Sequence, residues 1–218
     1  MMNKKPFASI LVTIALIASV RAADPQVTAH QVAEWVWTHS GGEHWAKVRT
    51  IRFTFNVSQG DKVVVSASHN WNVRNGTDTV SWNGKTVTVN VWNPGDDADA
   101  TAAYKRWTND SYWLLAPLKL LDQGCHLDDM GMQEIDGKKY HVLHCSFGPV
   151  GMTSHDRYNV YVDPLTYFVR RWDYMPTPDK KISGTWESYK EFGGLFLSTE
   201  HQFGDNRVWF SDIAVETD

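Results

Sequence analysis

Short segments that alternate apolar and polar residues recur along most of this chain, with turns of a few residues between them. That period of two is what most restricts the fold, because it belongs to sheets. The clearest case is Ile51, Phe53, Phe55 and Val57, which alternate with Arg52, Thr54 and Asn56. Successive side chains of a strand point to opposite faces, so such a segment buries one face and exposes the other. Ser58-Gln59-Gly60-Asp61 supplies a turn, and a second strand is expected over 62–71, with Val63, Val65 and Ala67 on one side. Asn75-Gly76, a hairpin dipeptide, leads to strands over 79–82 and 86–92 around Asn83-Gly84. Later strands are expected over 130–135 and 139–147 around Asp136-Gly137, over 157–163 and 167–174 around Pro164-Leu165-Thr166, and over 182–190, 195–203 and 208–215. The total is about ten or eleven strands, joined as meanders. No crossover helix regularly separates them, which excludes a parallel α/β sheet. The expected class is mainly β (α+β), antiparallel.

Two helical stretches interrupt this pattern. Thr28 followed by Gln31 forms a capping box, and Val32, Trp35, Val36 and His39 then recur at helical spacing until Gly41-Gly42 stops the helix. The second stretch follows Pro94-Gly95-Asp96-Asp97. Ala100, Ala103, Tyr104 and Trp107 have helical spacing, Asp110 is expected to cap a further short helix through Trp113, and Pro117 is expected to kink it or start a new turn at Leu118. Trp113, Leu114, Leu115, Leu118, Leu120 and Leu121 make this insert so apolar that it must cover something, most simply the open face of a sheet. The 11 Trp, 8 Tyr and 9 Phe of the chain suit either a β core or an apolar pocket.

The first residues bear on the compartment. Lys4 and Lys5 precede an uncharged apolar run of 14 residues, Phe7 to Val20, and Val20-Arg21-Ala22 offers small residues for a signal peptidase. Cleavage is expected after Ala22; an uncleaved anchor is the alternative, though the run is short of the roughly 20 residues a spanning helix needs. No Cys follows the site, so no lipidation is expected there. The remaining residues, 23–218, suit a single soluble domain located in the periplasm or secreted. Loss of Lys4, Lys5 and Arg21 takes the formal net charge from −4 to −7. With no basic cluster left, nucleic acid is a poor partner.

Motifs for chemistry are weak. Cys125-His126 and His144-Cys145 resemble paired ligands, but adjacent strand residues face opposite ways, so each pair offers one ligand to a common site. No metal and no cofactor are expected. Ser154-His155-Asp156 holds the residue types of a hydrolytic triad, but triad members converge from separated positions, and no Gly-x-Ser-x-Gly elbow accompanies it. No catalytic residue is assigned. Cys125 and Cys145, the two cysteines, are expected to form a disulfide in an oxidising compartment. A two-residue turn at Asp136-Gly137 would set Cys145 opposite Asp128, so a bulge or longer loop is needed to bring the sulfurs together. Two free buried thiols are the alternative.

The order of elements resembles the periplasmic lipoprotein-carrier superfamily, most closely its exported bacterial relatives of unknown function. The residues that carry this are Gly41-Gly42 through Trp45 leading into Ile51 and Phe55, Asn109-Asp110-Ser111-Tyr112-Trp113-Leu114 with Pro117 and Lys119-Leu120, and Tyr158-Asn159-Val160-Tyr161-Val162-Asp163 running into Val169 and Trp172. The resemblance implies an unclosed antiparallel barrel whose concave face is lidded by helices and shelters acyl chains. On this reading the chain is a non-enzymatic, monomeric carrier of a lipophilic small molecule or a lipoprotein acyl chain, with a transient envelope protein partner. Its expected cavity residues are Phe53, Phe55 and Val65 on the sheet and Trp113, Leu114 and Leu118 from the insert. The alternatives are a packed structural module without a cavity and an enzyme of another type.

Overall fold

The computed structural model describes residues 27–147 and 156–218. The leader and Ser154-His155 lie outside them. Helix α1 (Ala29–His39) starts at the capping box: Thr28 Oγ1 accepts from the Gln31 amide at 3.2 Å, and Gln31 Oε1 accepts from the Thr28 amide at 2.9 Å. Its stop is sterically strict. Gly41 sits at φ 78, and a Cβ there would lie 1.9 Å from the carbonyl oxygen of Gly194, so only glycine fits.

After a 3₁₀ turn, Gly42–Lys47, the chain runs through β1 (Val48–Gln59), β2 (Lys62–Asn72), β3 (Thr77–Trp82) and β4 (Lys85–Asn90). Helix α2 (Ala98–Leu115) follows, then a 3₁₀ turn, Ala116–Lys119. The second half contains β5 (Cys125–Ile135), β6 (Lys138–Phe147), β7 (Arg157–Val162), β8 (Val169–Thr177), β9 (Lys180–Thr185), β10 (Glu187–Phe192), β11 (Leu195–Phe203) and β12 (Asn206–Thr217). Every pairing is antiparallel. A seven-stranded sheet has the order β10-β11-β12-β1-β2-β3-β4, and a five-stranded sheet the order β5-β6-β7-β8-β9. The mainly β, antiparallel architecture is the one the alternation predicts, and its unclosed form with helices over it is the one the resemblance implies.

Three local expectations are corrected. The expected strand 182–190 is two strands in different sheets. Trp186 marks the crossing: it is fully buried, its amide donates to the Arg170 carbonyl at 2.8 Å, and Ser188 just beyond takes a positive φ of 54. The sheets meet at this corner, where Thr185 accepts from His201 Nδ1 at 3.1 Å and from the Gln202 amide at 2.9 Å. Second, the insert is one continuous helix to Leu115. Asp97 caps it, accepting from the amides of Asp99 and Ala100, and Asp110 lies in its interior. Pro117 follows the last helical turn, within the 3₁₀ segment. Third, Val63 is exposed rather than aligned with Val65 and Ala67, because the β1–β2 register slips between Val57 and Ser58. The bulge that the cysteine hairpin needs does occur, between Asp129 and Met132.

The core has three parts. One gathers α1 and the five-stranded sheet, around Val32, Val36, Leu143 and Trp172. Another sets Leu114, Leu115 and Leu118 on Ile51, Phe53 and Phe55 of the seven-stranded sheet. A small third part joins the start of α2 to β3 and β4. The end of α2 therefore bridges the sheets: Trp113 contacts Trp172 of one at 4.6 Å and Phe203 of the other at 5.7 Å between ring centroids.

Candidate ligand cavity

A cavity of about 490 Å³ lies between α2 and the inner face of the five-stranded sheet. Helical periodicity supplies its roof: Lys105, Thr108, Asn109, Tyr112 and Trp113 line it and fall on one helix face. Strand register supplies the floor. Tyr158 pairs with Cys145 on one side and Tyr174 on the other, which puts all three on the same face, with Phe147 and Trp172 at diagonal positions. The rings interlock, with Tyr158 5.0 Å from Trp172, 5.2 Å from Tyr174 and 5.8 Å from Tyr112. Asp156 holds two of the phenols, accepting from Tyr174 at 3.0 Å and from Tyr158 at 3.4 Å. Burial first, and then the Asp156 charge, raises the Tyr158 pKa well above the ordinary phenol value, and burial with the same carboxylate takes Tyr174 to about 12. Both phenols therefore stay protonated and neutral at any ordinary pH.

A second cavity, of about 270 Å³, adjoins it on the other flank of α2. Trp37, Trp45, Trp71 and Trp107 supply its walls, with Leu115 and Leu118. The indole N–H groups of Trp71 and Trp107 have no acceptor among the described residues.

The expected cavity residues divide accordingly. Trp113 lines the larger cavity and Leu118 the smaller. Phe53, Phe55 and Leu114 are fully buried in the core of the seven-stranded sheet, and Val65 is half-buried beside them. Neither cavity is lined by these four. The floor residues Phe147, Tyr158, Trp172 and Tyr174 escaped the sequence reading. Their signal was the alternation of Tyr158, Val160 and Val162 on one strand and of Trp172 and Tyr174 on the next.

Cys125 borders the larger cavity, and Cys145 lies buried behind it. The bulge moves Cys145 opposite Leu127 and leaves Cys125 opposite Phe147, so the cysteines are diagonal neighbours on one face. Their Sγ atoms are 2.8 Å apart and unbonded in this structure. The hydrogen bond from Cys145 holds the Cys125 thiol below its ordinary value against the opposing effect of burial. The same contact, followed by burial, pushes Cys145 up. Cys125 is therefore the more readily ionised of the two and the natural nucleophile in any thiol chemistry.

A separate buried network ties α2 to the seven-stranded sheet. His69 Nδ1 lies 2.7 Å from Asp78 Oδ2, and Nε2 lies 3.1 Å from Asp110 Oδ2. Arg106 and Asn109 donate to the other oxygen of Asp110, and the His69 ring stacks on Phe53 at 4.5 Å. His69 is 3 % exposed and both carboxylates 0 %, so no small molecule reaches this histidine. His201 is also enclosed; burial lowers its pKa to about 3, and it stays neutral between Trp113 and Trp186. Among the described residues, no group of three or more His, Cys, Asp or Glu is placed to hold a metal ion, and no helix is long and apolar enough to cross a membrane.

Two solved structures match this arrangement over most of both chains. A LolA superfamily protein from Nitrosomonas europaea superposes with a TM-score of 0.52 at 9% identity, covering 88% of this chain and 96% of the other. This chain shares the LolA superfamily fold. A DUF1329 family protein from Desulfovibrio piger gives a TM-score of 0.51 at 12% identity, covering 88% of this chain and 94% of the other. No family model matches the sequence, and no curated protein matches it significantly. Identities this low speak to the LolA-type backbone only; what the chain holds must be argued from its own side chains.

Proposed function

We propose that the chain is a non-enzymatic carrier that shelters a lipophilic ligand, an acyl chain included, in the cavity under α2, and that it works in the periplasm after losing its leader. The carrying observation is the aromatic-walled space of about 490 Å³, within the roughly 300–1,000 Å³ typical of small-molecule sites. Tyr112, Trp113, Phe147, Tyr158, Trp172 and Tyr174 supply its apolar walls, and Lys105, Lys119, Asp122 and Asp156 are the charged groups that border it. That composition favours desolvation of an apolar body and leaves a polar end wet.

A fatty-acyl fluorophore should bind with micromolar affinity, about −8 kcal/mol. Phe147→Asp places an unpaired carboxylate at the cavity wall, where desolvation opposes it, and should weaken the probe about tenfold or more. Arg52→Asp, on the exposed face of β1, should not. A folded protein that binds no acyl or lipid probe would overturn the carrier reading in favour of a packed structural module.

A further inference from the structure

We infer that Tyr112 is the septum of a two-armed site that takes an amphiphile with two apolar limbs and one compact polar headgroup; this rests on the carrier reading above. The two cavities are bordered in common by Thr108, Tyr112, Lys119 and Asp122. Thr108 and Tyr112 stand one turn apart on α2, so together they make a single ridge. The larger space opens on the Asn109 side of that ridge and the smaller on the Ser111 side. The partition is thus one side chain thick. The Tyr112 ring meets Phe147, Tyr158 and Trp172, all in the larger arm, and its hydroxyl has no hydrogen-bond partner among the described residues.

The shared rim names the headgroup. Lys119 and Asp122 are ion-paired and about half exposed, and both border both arms. A neighbouring cation and anion present a donor and an acceptor side by side, which complements a zwitterionic or dipolar group better than a bare anion. A single chain anchored there fills one arm and leaves the other without apolar contact. A molecule with two limbs straddles Tyr112 and removes both walls from water, and binding strength follows the apolar area buried.

Dihexanoyl-phosphatidylcholine and lauroyl-lysophosphatidylcholine carry the same headgroup and equal numbers of chain carbons, divided over two chains or placed in one. By calorimetry, each below its micelle concentration, the two-chain lipid should bind about tenfold or more tighter to the full chain. Tyr112→Ala should merge the arms and bring the two affinities within about twofold of each other, while Tyr112→Phe, which keeps the ring, should retain the preference. Circular dichroism establishes that each variant is folded. Equal affinity of the wild-type chain for both lipids overturns the septum and leaves the carrier reading standing; binding of neither overturns both. The wild-type comparison decides the matter even where Tyr112→Ala does not fold.

Discussion

Replacing His69 by phenylalanine should be among the most costly single changes in this protein, although the new side chain keeps an aromatic ring against Phe53. Burial, the largest single influence on His69, pulls its pKa down. Hydrogen bonds to Asp110 and Asp78, with their charges, outweigh it and leave the pKa above the ordinary 6.5. Below its raised folded pKa the ring is an imidazolium between two carboxylates, one of which also holds Arg106. His69→Phe leaves Asp110 its partners Arg106 and Asn109 but strips Asp78, whose other oxygen already has no partner among the described residues. Removing one member of a buried ion pair costs about 3–5 kcal/mol, a large part of the roughly 5–15 kcal/mol that holds a domain folded. Urea unfolding followed by circular dichroism measures it. Because the folded pKa is raised, the proton adds stability in full below about pH 6.5, and that contribution is lost as pH rises through the folded value. The gap between wild type and variant should thus be widest below about pH 6.5 and narrow as pH rises through the folded value. Adding Asp78→Leu should recover part of the loss, since the stranded carboxylate is then gone. A loss below about 1 kcal/mol, or a gap that ignores pH, would refute the charged reading of this network.

The remaining predictions concern the hairpin and the chain's turns. Cys125 and Cys145 should be found bonded in protein taken from an oxidising compartment, shown by intact mass before and after reduction, and reduction should cost about 3 kcal/mol; ready alkylation of both thiols without reductant would rule the bond out. Gly41→Ala should cost more than about 2 kcal/mol in thermal unfolding, because the added carbon meets a backbone oxygen that cannot rotate away; an unchanged melt would mean that the loop at Gly194 gives way freely. Thr28→Ala should cost about 1 kcal/mol by the same measurement, with hydrogen exchange rising in the first turn of α1 before anywhere else.

What the sequence disclosed and what it hid follow from one distinction. Local rules decide α1, which the Thr28–Gln31 box starts and Gly41 ends, and they decide the hairpins at Asn83-Gly84 and Asp136-Gly137, where the second residues take φ values of 75 and 76. They fail where a long-range partner intervenes. Residues 182–190 read as one strand because no turn dipeptide marks the crossing at Trp186, and Gly184 two residues before it lies inside β9. Asp110 read as a cap because acidic residues favour helix starts, yet here it serves a histidine two strands away. His69 did carry a signal: it continues the inward alternation of Val65 and Ala67, and a polar residue in an apolar register is informative. The cavity was the least legible part. Phe53 and Phe55 satisfy the same alternation as Phe147, Tyr158 and Trp172, Leu114 follows the helical spacing of its neighbour Trp113 on α2, and periodicity identifies a buried face without distinguishing a packed one from a hollow one.

The pairing of β1 with β12 has a consequence for when this protein can fold. β1 is the middle strand of the seven-stranded sheet, and it pairs with β12 from Val48 opposite Thr217 to Gln59 opposite Asn206. The first strand made must wait for the last. During synthesis, β1 and β2 can zip into a hairpin, but the far edge of β1 stays unpaired until the final residues emerge. Contacts between such distant positions slow folding, and an open edge in the interval invites pairing with other chains. A chain that stops short of residue 206 loses the centre of its larger sheet rather than its margin, so a late stop codon should be as damaging here as an early one.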